Sequence, residues 1–262
     1  MSSGLVNAVL SAIVTVMCVS SCSVKEDRSG CPCYVIMNVD EFIRAGLVSG
    51  TVSFSAGPAV VREAVVLSDY SGYGYGFPSP KRLLHASCIC GMEDCIEDDR
   101  ICVRANSQAE PVFAFSTSVT PEGEEYLIVA VPHKQYCRID IKNRDSSLEY
   151  RYHLRGGYSC LGIHDLLPSG GELDFPVEPG PDGRCSALLL RQADDAGLML
   201  DIFDAGTSEM ISTLDLSELL KDAGYVWMQE DLEDVSLVVD TASLEFRVET
   251  TDWNDDERKI EI

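Results

Sequence analysis

Past residue 33 the chain is written in short stretches that alternate apolar and polar residues or run apolar for a few positions. YVIMNV at 34–39, TVSFSA at 51–56, AVVREAVVL at 59–67 and RICVRAN at 100–106 are rich in β-branched and aromatic residues. PVFAFSTSV at 111–119, EYLIVAV at 125–131, YCRIDIK at 136–142 and LEYRYHL at 148–154 continue the pattern. Gly, Pro, Asn and Asp separate them, the punctuation of antiparallel β-structure. RIDIK and EYRYH alternate cleanly, which predicts one packed and one wetted face. A Gly/Pro-rich passage, LPSGGELDFPVEPGPDG at 167–183, is the predicted domain junction. Strand signals resume with RCSALLLRQ at 184–192, GLMLDIFD at 197–204, DVSLVVD at 234–240, SLEFRVE at 243–249 and RKIEI at 258–262. One helix is predicted over Ser212–Ala223, where Leu214, Leu216, Leu219 and Leu220 are apolar and Gly224 is the stop. No unit repeats at the periods of solenoid proteins. The pattern predicts an all-β protein with one short helix and two β-sandwich domains in series, 31–166 and 167–262.

The first 24 residues carry no Asp, Glu, Lys or Arg, and Leu5 to Val19 is mostly apolar. A spanning helix needs roughly 20 predominantly apolar residues. This run is shorter and ends in small residues, so a secretory leader over 1–21 fits better than a permanent span or a buried terminal element. Val19-Ser20-Ser21-Cys22 resembles a bacterial lipobox. In lipoproteins with that pattern the cysteine becomes the first mature residue and carries acyl chains. Each buried methylene contributes roughly 0.8 kcal/mol, so a multiply acylated Cys22 holds a chain on a membrane without any spanning helix. The alternative is an ordinary leader with Cys22 as a plain thiol. Residues 22–30 read as an acidic tether, and its Lys25-Glu26-Asp27 resembles the tag that sends Bacteroidota lipoproteins to the outer face of the outer membrane.

Charge narrows the partners. The formal net charge is −23, most of it over residues 166–262, where 24 acidic residues face 6 basic ones. Such acidity repels phosphate backbones and makes nucleic acid a poor partner. Of the eleven cysteines, Cys18 falls in the leader and Cys22 takes lipid, which leaves nine. An odd number leaves at least one thiol unpaired within the chain. Outside the cytoplasm disulfides persist, yet their connectivity does not follow from spacing.

No pattern of residues points to catalysis, metal or a cofactor. Cys88, Cys90, Cys95 and Cys102, near His85, lack the repeated close pairs of structural zinc sites and read as disulfides or free thiols in a long loop. GYGYGF at 72–77 is followed by Pro-Ser-Pro, which cannot open a phosphate-binding helix, so it reads as a mobile aromatic loop. Its Tyr73 and Tyr75 could contact a host protein or glycan. Gly157-Tyr158-Ser159-Cys160-Leu161 lacks the second glycine of a nucleophile elbow. TDWNDDERK at 251–259 does not have calcium-loop spacing. The four histidines carry no local sign of a catalytic pairing, and the chain reads as non-enzymatic.

Three stretches resemble the fimbrillin-associated anchor lipoproteins of Bacteroidota, minor fimbrial subunits of the cell surface. The first runs from Cys22 through the acidic tag to Cys31-Pro-Cys33. The second, LDLSELLKDAGYVWMQEDLEDVSLVVD at 214–240, carries a helix, a turn with Gly224, Tyr225 and Trp227, and Asp231, Leu232 and Asp234 leading into a strand. The third is the closing strand with Trp253. The cysteine-rich loop at 88–102 has no counterpart in that pattern. The resemblance implies two transthyretin-like sandwiches on a lipid tether. It implies a subunit that anchors a fimbrial shaft or limits its length, supporting adhesion and biofilm formation. Its partners are then shaft subunits, joined by β-strand complementation, with the strand at Arg258–Ile262 a candidate edge or donor. The alternative is a stand-alone adhesin or glycan-binding lipoprotein that uses Tyr73 and Tyr75.

Overall fold

The computed structural model describes residues 31–143, 149–179, 184–240 and 245–251. Cys22, expected to carry lipid, Lys25, Glu26 and Asp27, expected to form an export tag, Trp253 and the strand expected at Arg258–Ile262 lie outside the described residues. The first strands are β1 (Cys33–Asn38), β2 (Ser49–Ala56), β3 (Ala59–Val66), β4 (Tyr75–Ser79) and β5 (Leu84–Cys90). Then come β6 (Ile96–Glu97), β7 (Arg100–Cys102), β8 (Phe113–Val119), β9 (Glu125–Val129) and β10 (His133–Lys134). The second half has β11 (Tyr136–Asn143), β12 (Tyr150–Gly156), β13 (Cys160–Gly162), β14 (Pro168–Ser169) and β15 (Leu173–Val177). It closes with β16 (Cys185–Leu190), β17 (Met199–Asp204), β18 (Met210–Asp215), β19 (Asp234–Asp240) and β20 (Glu245–Thr251).

Pairing sorts most of these strands into two sandwiches of one design, while β6, β7, β13 and β14 form a separate small sheet ordered β14-β13-β7-β6. The first has a sheet ordered β4-β1-β9 and a sheet whose larger part is ordered β8-β5-β2-β3. The second has sheets ordered β16-β11-β19-β20 and β18-β17-β12-β15. In each, the opening strand pairs antiparallel with a middle strand and parallel with a late one: β1 with β4 and β9, β11 with β16 and β19. This is the transthyretin arrangement. Those two parallel pairs depart from the purely antiparallel sheets predicted by the strand pattern.

Period-two patterning explains which faces pack. Along β1, Val35 and Met37 are buried while Tyr34 faces water; along β15, Leu173, Phe175 and Val177 are buried and the residues between them are not. The first core gathers Val35, Met37, Phe42, Phe54, Leu67 and Leu84, with Phe54 stacked on Tyr75 and Phe77 at ring distances of 5.9 and 5.0 Å. The second holds Ile139, Leu154, Leu189, Leu200, Trp227 and Leu237.

Several sequence expectations are corrected. The pairing does not change at 167–183. β11 and β12, placed before that junction, pair with β16, β19, β15 and β17 beyond it. The two sandwiches instead meet at the β10–β11 connection, Gln135, because the strands that fill the second core begin there. Residues 91–112 also leave the first sandwich, and Met92, Ile101, Val103, Ala109 and Val112 fill the second core. The helix expected from Ser212 starts at Leu216. Ser212 and Thr213 are taken by the ladder to β17, and Asp215 caps the helix by accepting from Glu218 N at 2.9 Å. Gly224, at φ +80°, ends it, with its N–H on Lys221 O and Tyr225 N–H on Leu220 O, a Schellman pair. A second short helix, Asp40–Arg44, was not legible. The cysteines of 88–102 do not share one loop: Cys88 and Cys90 are buried in β5, and Cys102 is bonded to Cys160 of β13.

Two predictions follow from these ties. The Cys102–Cys160 bond spans 58 residues. Replacing both cysteines by Ser should lower stability by about 4 kcal/mol on the loop-entropy relation, read from denaturant midpoints. Asp201 receives Arg155 Nε at 2.7 Å and Thr213 Oγ1 at 2.6 Å, tying β12 and β18 to β17. The Arg155 bond holds its carboxyl below the usual carboxylate value, with burial opposing it. A folded-state value below the unfolded one gives stability that is present above about pH 4 and lost on further acidification. Asp201→Asn should be less stable than wild type at pH 7, and the gap should narrow as pH falls towards 3.

Candidate functional site

Three regions gather the residues singled out by sequence and others that it hid. The first is a buried polar clamp where the sandwiches meet. Lys134 is only 2% exposed, and its Nζ donates to Asp234 Oδ1 at 2.6 Å while lying 4.7 Å from the Tyr136 ring centre. Asp231 accepts from Lys134 N at 2.7 Å, and Leu232 N donates to Lys134 O at 3.1 Å. Arg191 is buried and donates to Gln135 Oε1, Trp227 O and Glu230 O at 2.9, 2.8 and 3.1 Å. Tyr225 and Trp227 pack edge to face at 4.9 Å, and Tyr225 donates to Glu233 O at 2.9 Å. Gly224, Tyr225, Trp227, Asp231, Leu232 and Asp234 therefore form a brace around the connection His133–Gln135, not a ligand cavity. Sequence placed these residues together but did not reveal Lys134, Gln135 and Arg191, which look like ordinary strand residues there.

The second region is a cleft of about 420 Å³ over the outer face of β1 and β4, lined by Tyr34, Ile36, Glu63, Tyr70, Tyr73, Gly74, Tyr75 and Gly76. GYGYGF is only partly a loop, because Tyr75 to Phe77 belong to β4, in register with β1. Tyr73 stays 65% exposed. Tyr75 is buried beside Phe54, and its hydroxyl donates to Glu63. Burial, with the Glu63 carboxylate alongside, pushes its phenol up to about 12. Tyr75 is thus a wall of the cleft, and of the two only Tyr73 keeps an exposed ring, with its hydroxyl donating to Asp69 O. The turn is pinned by Asp40, which accepts from Gly72 N at 2.9 Å, a bond that holds its carboxyl low. Tyr34 lies across Gly76, where any Cβ would collide with its hydroxyl. The outward phase of YVIMNV was the available signal for Tyr34.

The third region is the edge strand β9. It pairs with β1 on one side and carries no strand on the other among the described residues. Leu127 and Val129 are 61% and 53% exposed on the outer face, with Tyr34 at 47% nearby on β1. β19, its equivalent in the second sandwich, is covered on that side by β20, antiparallel over seven residue pairs.

Thiol chemistry finds no support. The hydrogen bond with Cys90, together with burial, pushes the Cys88 thiol well above its usual value, and burial pushes Cys137 up to about 12. Such groups are not thiolates at neutral pH. Cys31 is exposed and Cys33 buried, both with free thiols.

Two sandwiches of transthyretin order joined by a buried clamp define the class of fold. Solved structures with the same fold come from Bacteroidota. A candidate polysaccharide-binding protein from Bacteroides thetaiotaomicron matches with a TM-score of 0.58 and 12% identity over 88% of this chain and 98% of its own. A candidate adhesin from Bacteroides ovatus gives 0.58 and 11%, covering 86% and 94%. The fimbrial anchor protein Mfa2 from Porphyromonas gingivalis gives 0.55 and 12%, covering 83% and 94%. No protein-family model matches the chain, and no curated protein matches it in sequence.

The clamp yields a stability prediction. Asp234→Ala leaves the Lys134 ammonium buried without its carboxylate and should cost about 3 kcal/mol, the low end for such pairs because Asp234 is partly exposed. Arg138→Ala, which removes a half-exposed partner of the same carboxylate, should cost less than about 1 kcal/mol. Urea midpoints of the two variants decide between a buried brace and a surface ion pair.

Proposed function

We propose that the chain is an anchor or accessory subunit of a fimbria, tethered by lipid at Cys22 to the outer face of the outer membrane. Lys25, Glu26 and Asp27 direct it outward, its two sandwiches are joined at Gln135, and it supports adhesion and biofilm formation without catalysis. The fold shared with Mfa2 and with the candidate adhesins supports this reading. The observation that carries it is the edge of β9, which pairs with no further strand among the described residues, beside the covered edge of β19. A strand from a shaft subunit, laid antiparallel on β9, would satisfy its free backbone groups. Alternate side chains would extend the core next to Ile128 and cover Leu127 and Val129 on the other face.

The test has two arms in a deletion strain of the native host. With Cys22→Ala, fimbriae should be found in the medium instead of on cells, and the protein should no longer be cleaved by protease at the surface of intact cells. With Leu127→Lys and Val129→Lys combined, the protein should stay at the surface and lose the shaft. Fimbriae that remain firmly attached in both strains would refute the reading.

A further inference from the structure

We propose that the cleft over β1 and β4 is a binding site for a neutral saccharide, an activity separate from shaft attachment. Its volume, about 420 Å³, lies within the range of roughly 300–1,000 Å³ typical of small-ligand sites. Two tyrosines, Tyr34 and Tyr73, are largely exposed at the cleft, while Tyr70 backs Tyr73 and Tyr75 at 6.1 and 5.2 Å. A pyranose offers an apolar C–H face to such rings and a rim of hydroxyls to polar neighbours. The rigid two-χ tyrosine side chain also loses little entropy when it is covered.

The polar group at the cleft is an acceptor. Glu63 Oε2 is held by the Tyr75 hydroxyl, and Oε1 accepts no hydrogen bond among the described residues. Because burial keeps the Tyr75 phenol protonated far above neutral pH, Tyr75 acts as a fixed donor that orients the carboxylate. A fixed carboxylate suits a ligand rich in O–H donors. A proline-rich peptide would fit the rings equally well, but it presents carbonyls and lacks N–H groups, so it would leave Glu63 desolvated and unpaired. Ligand charge is decided by Glu63, the one charged residue of the lining, which repels sulfated and sialylated sugars. Glycines complete the shape. Gly76 lets Tyr34 lie across β4, and Gly74, at φ +75°, brings the turn against β1, where a Cβ would strike Met37 O and Ile36.

The test uses the full chain on an array of neutral hexose and N-acetylhexosamine oligosaccharides beside sulfated and sialylated ones, with decaproline as a peptide probe. Neutral oligosaccharides should be retained. Tyr34→Ala, Tyr73→Ala and Glu63→Gln should each weaken binding about tenfold, with circular dichroism and melting unchanged, while Met210→Ala on the far sandwich should leave it intact. Retention of decaproline alone, preference for charged sugars, no retention of any neutral sugar, or wild-type binding by the Tyr34→Ala/Tyr73→Ala double variant would each overturn the proposal. None of these outcomes bears on fimbrial attachment, which the β9 and Cys22 variants read separately.

Discussion

A lysine ammonium taken out of water fixes how the two halves of this protein meet. Lys134 sits in β10, the last strand of the first sandwich, yet its counter-charge, Asp234, opens β19 of the second. Burying an ammonium costs several kcal/mol unless the partner is held in good geometry. The surroundings supply that geometry: Asp231 and Leu232 bracket the Lys134 backbone, and Arg138 N donates to the same Asp234 carboxylate. The helix Leu216–Asp222, its Schellman end at Gly224 and the Tyr225–Trp227 pair exist in a form that brings residues 227–234 back to this point. A polar connection that would otherwise hinge is made part of the core.

The two sandwiches repeat a strand order without repeating a sequence, and their differences locate function. Where the second has β20, the first has no strand among the described residues. After β9 the chain crosses to pair as β10 with β8 in the opposite sheet. The turn before β4 likewise departs from a minimal connection. Its glycines and tyrosines raise a cleft on the same outer sheet face that carries Leu127 and Val129. Both candidate surfaces therefore belong to the first sandwich.

Much of the fold was legible because strand patterning is local. Ile139 and Ile141 against Arg138 and Lys142, or Tyr152 against Arg151, announce faces that the structure confirms, whereas the strand at Leu173–Val177 was hidden inside the passage read as a junction. The Gly224 stop was readable for the same reason, since only glycine suits that φ at no cost. The junction was misplaced because Gly and Pro at 167–183 signal a turn, and turn chemistry does not distinguish a loop within a sandwich from one between sandwiches. The duplication was invisible because equivalent strands share pairing partners, not side chains. Tyr75 was misjudged because the glycines around it suggested a loop, whereas its partners Phe54 and Glu63 are brought in from other strands. Lys134 and Arg191 were missed since a buried charge looks like a surface one until its partner is seen.

The disulfide between β7 and β13 has a mechanical meaning. The connection His133–Gln135, the clamp's lysine and the whole of β9 lie between Cys102 and Cys160, inside a covalently closed loop. Tension applied to the two ends of the chain runs through the sulfur bridge and bypasses the backbone between them. The covalent backbone of the connection and of β9 is spared, and load reaches them only sideways, through the ladders β1–β9 and β11–β19 and through the Lys134–Asp234 pair.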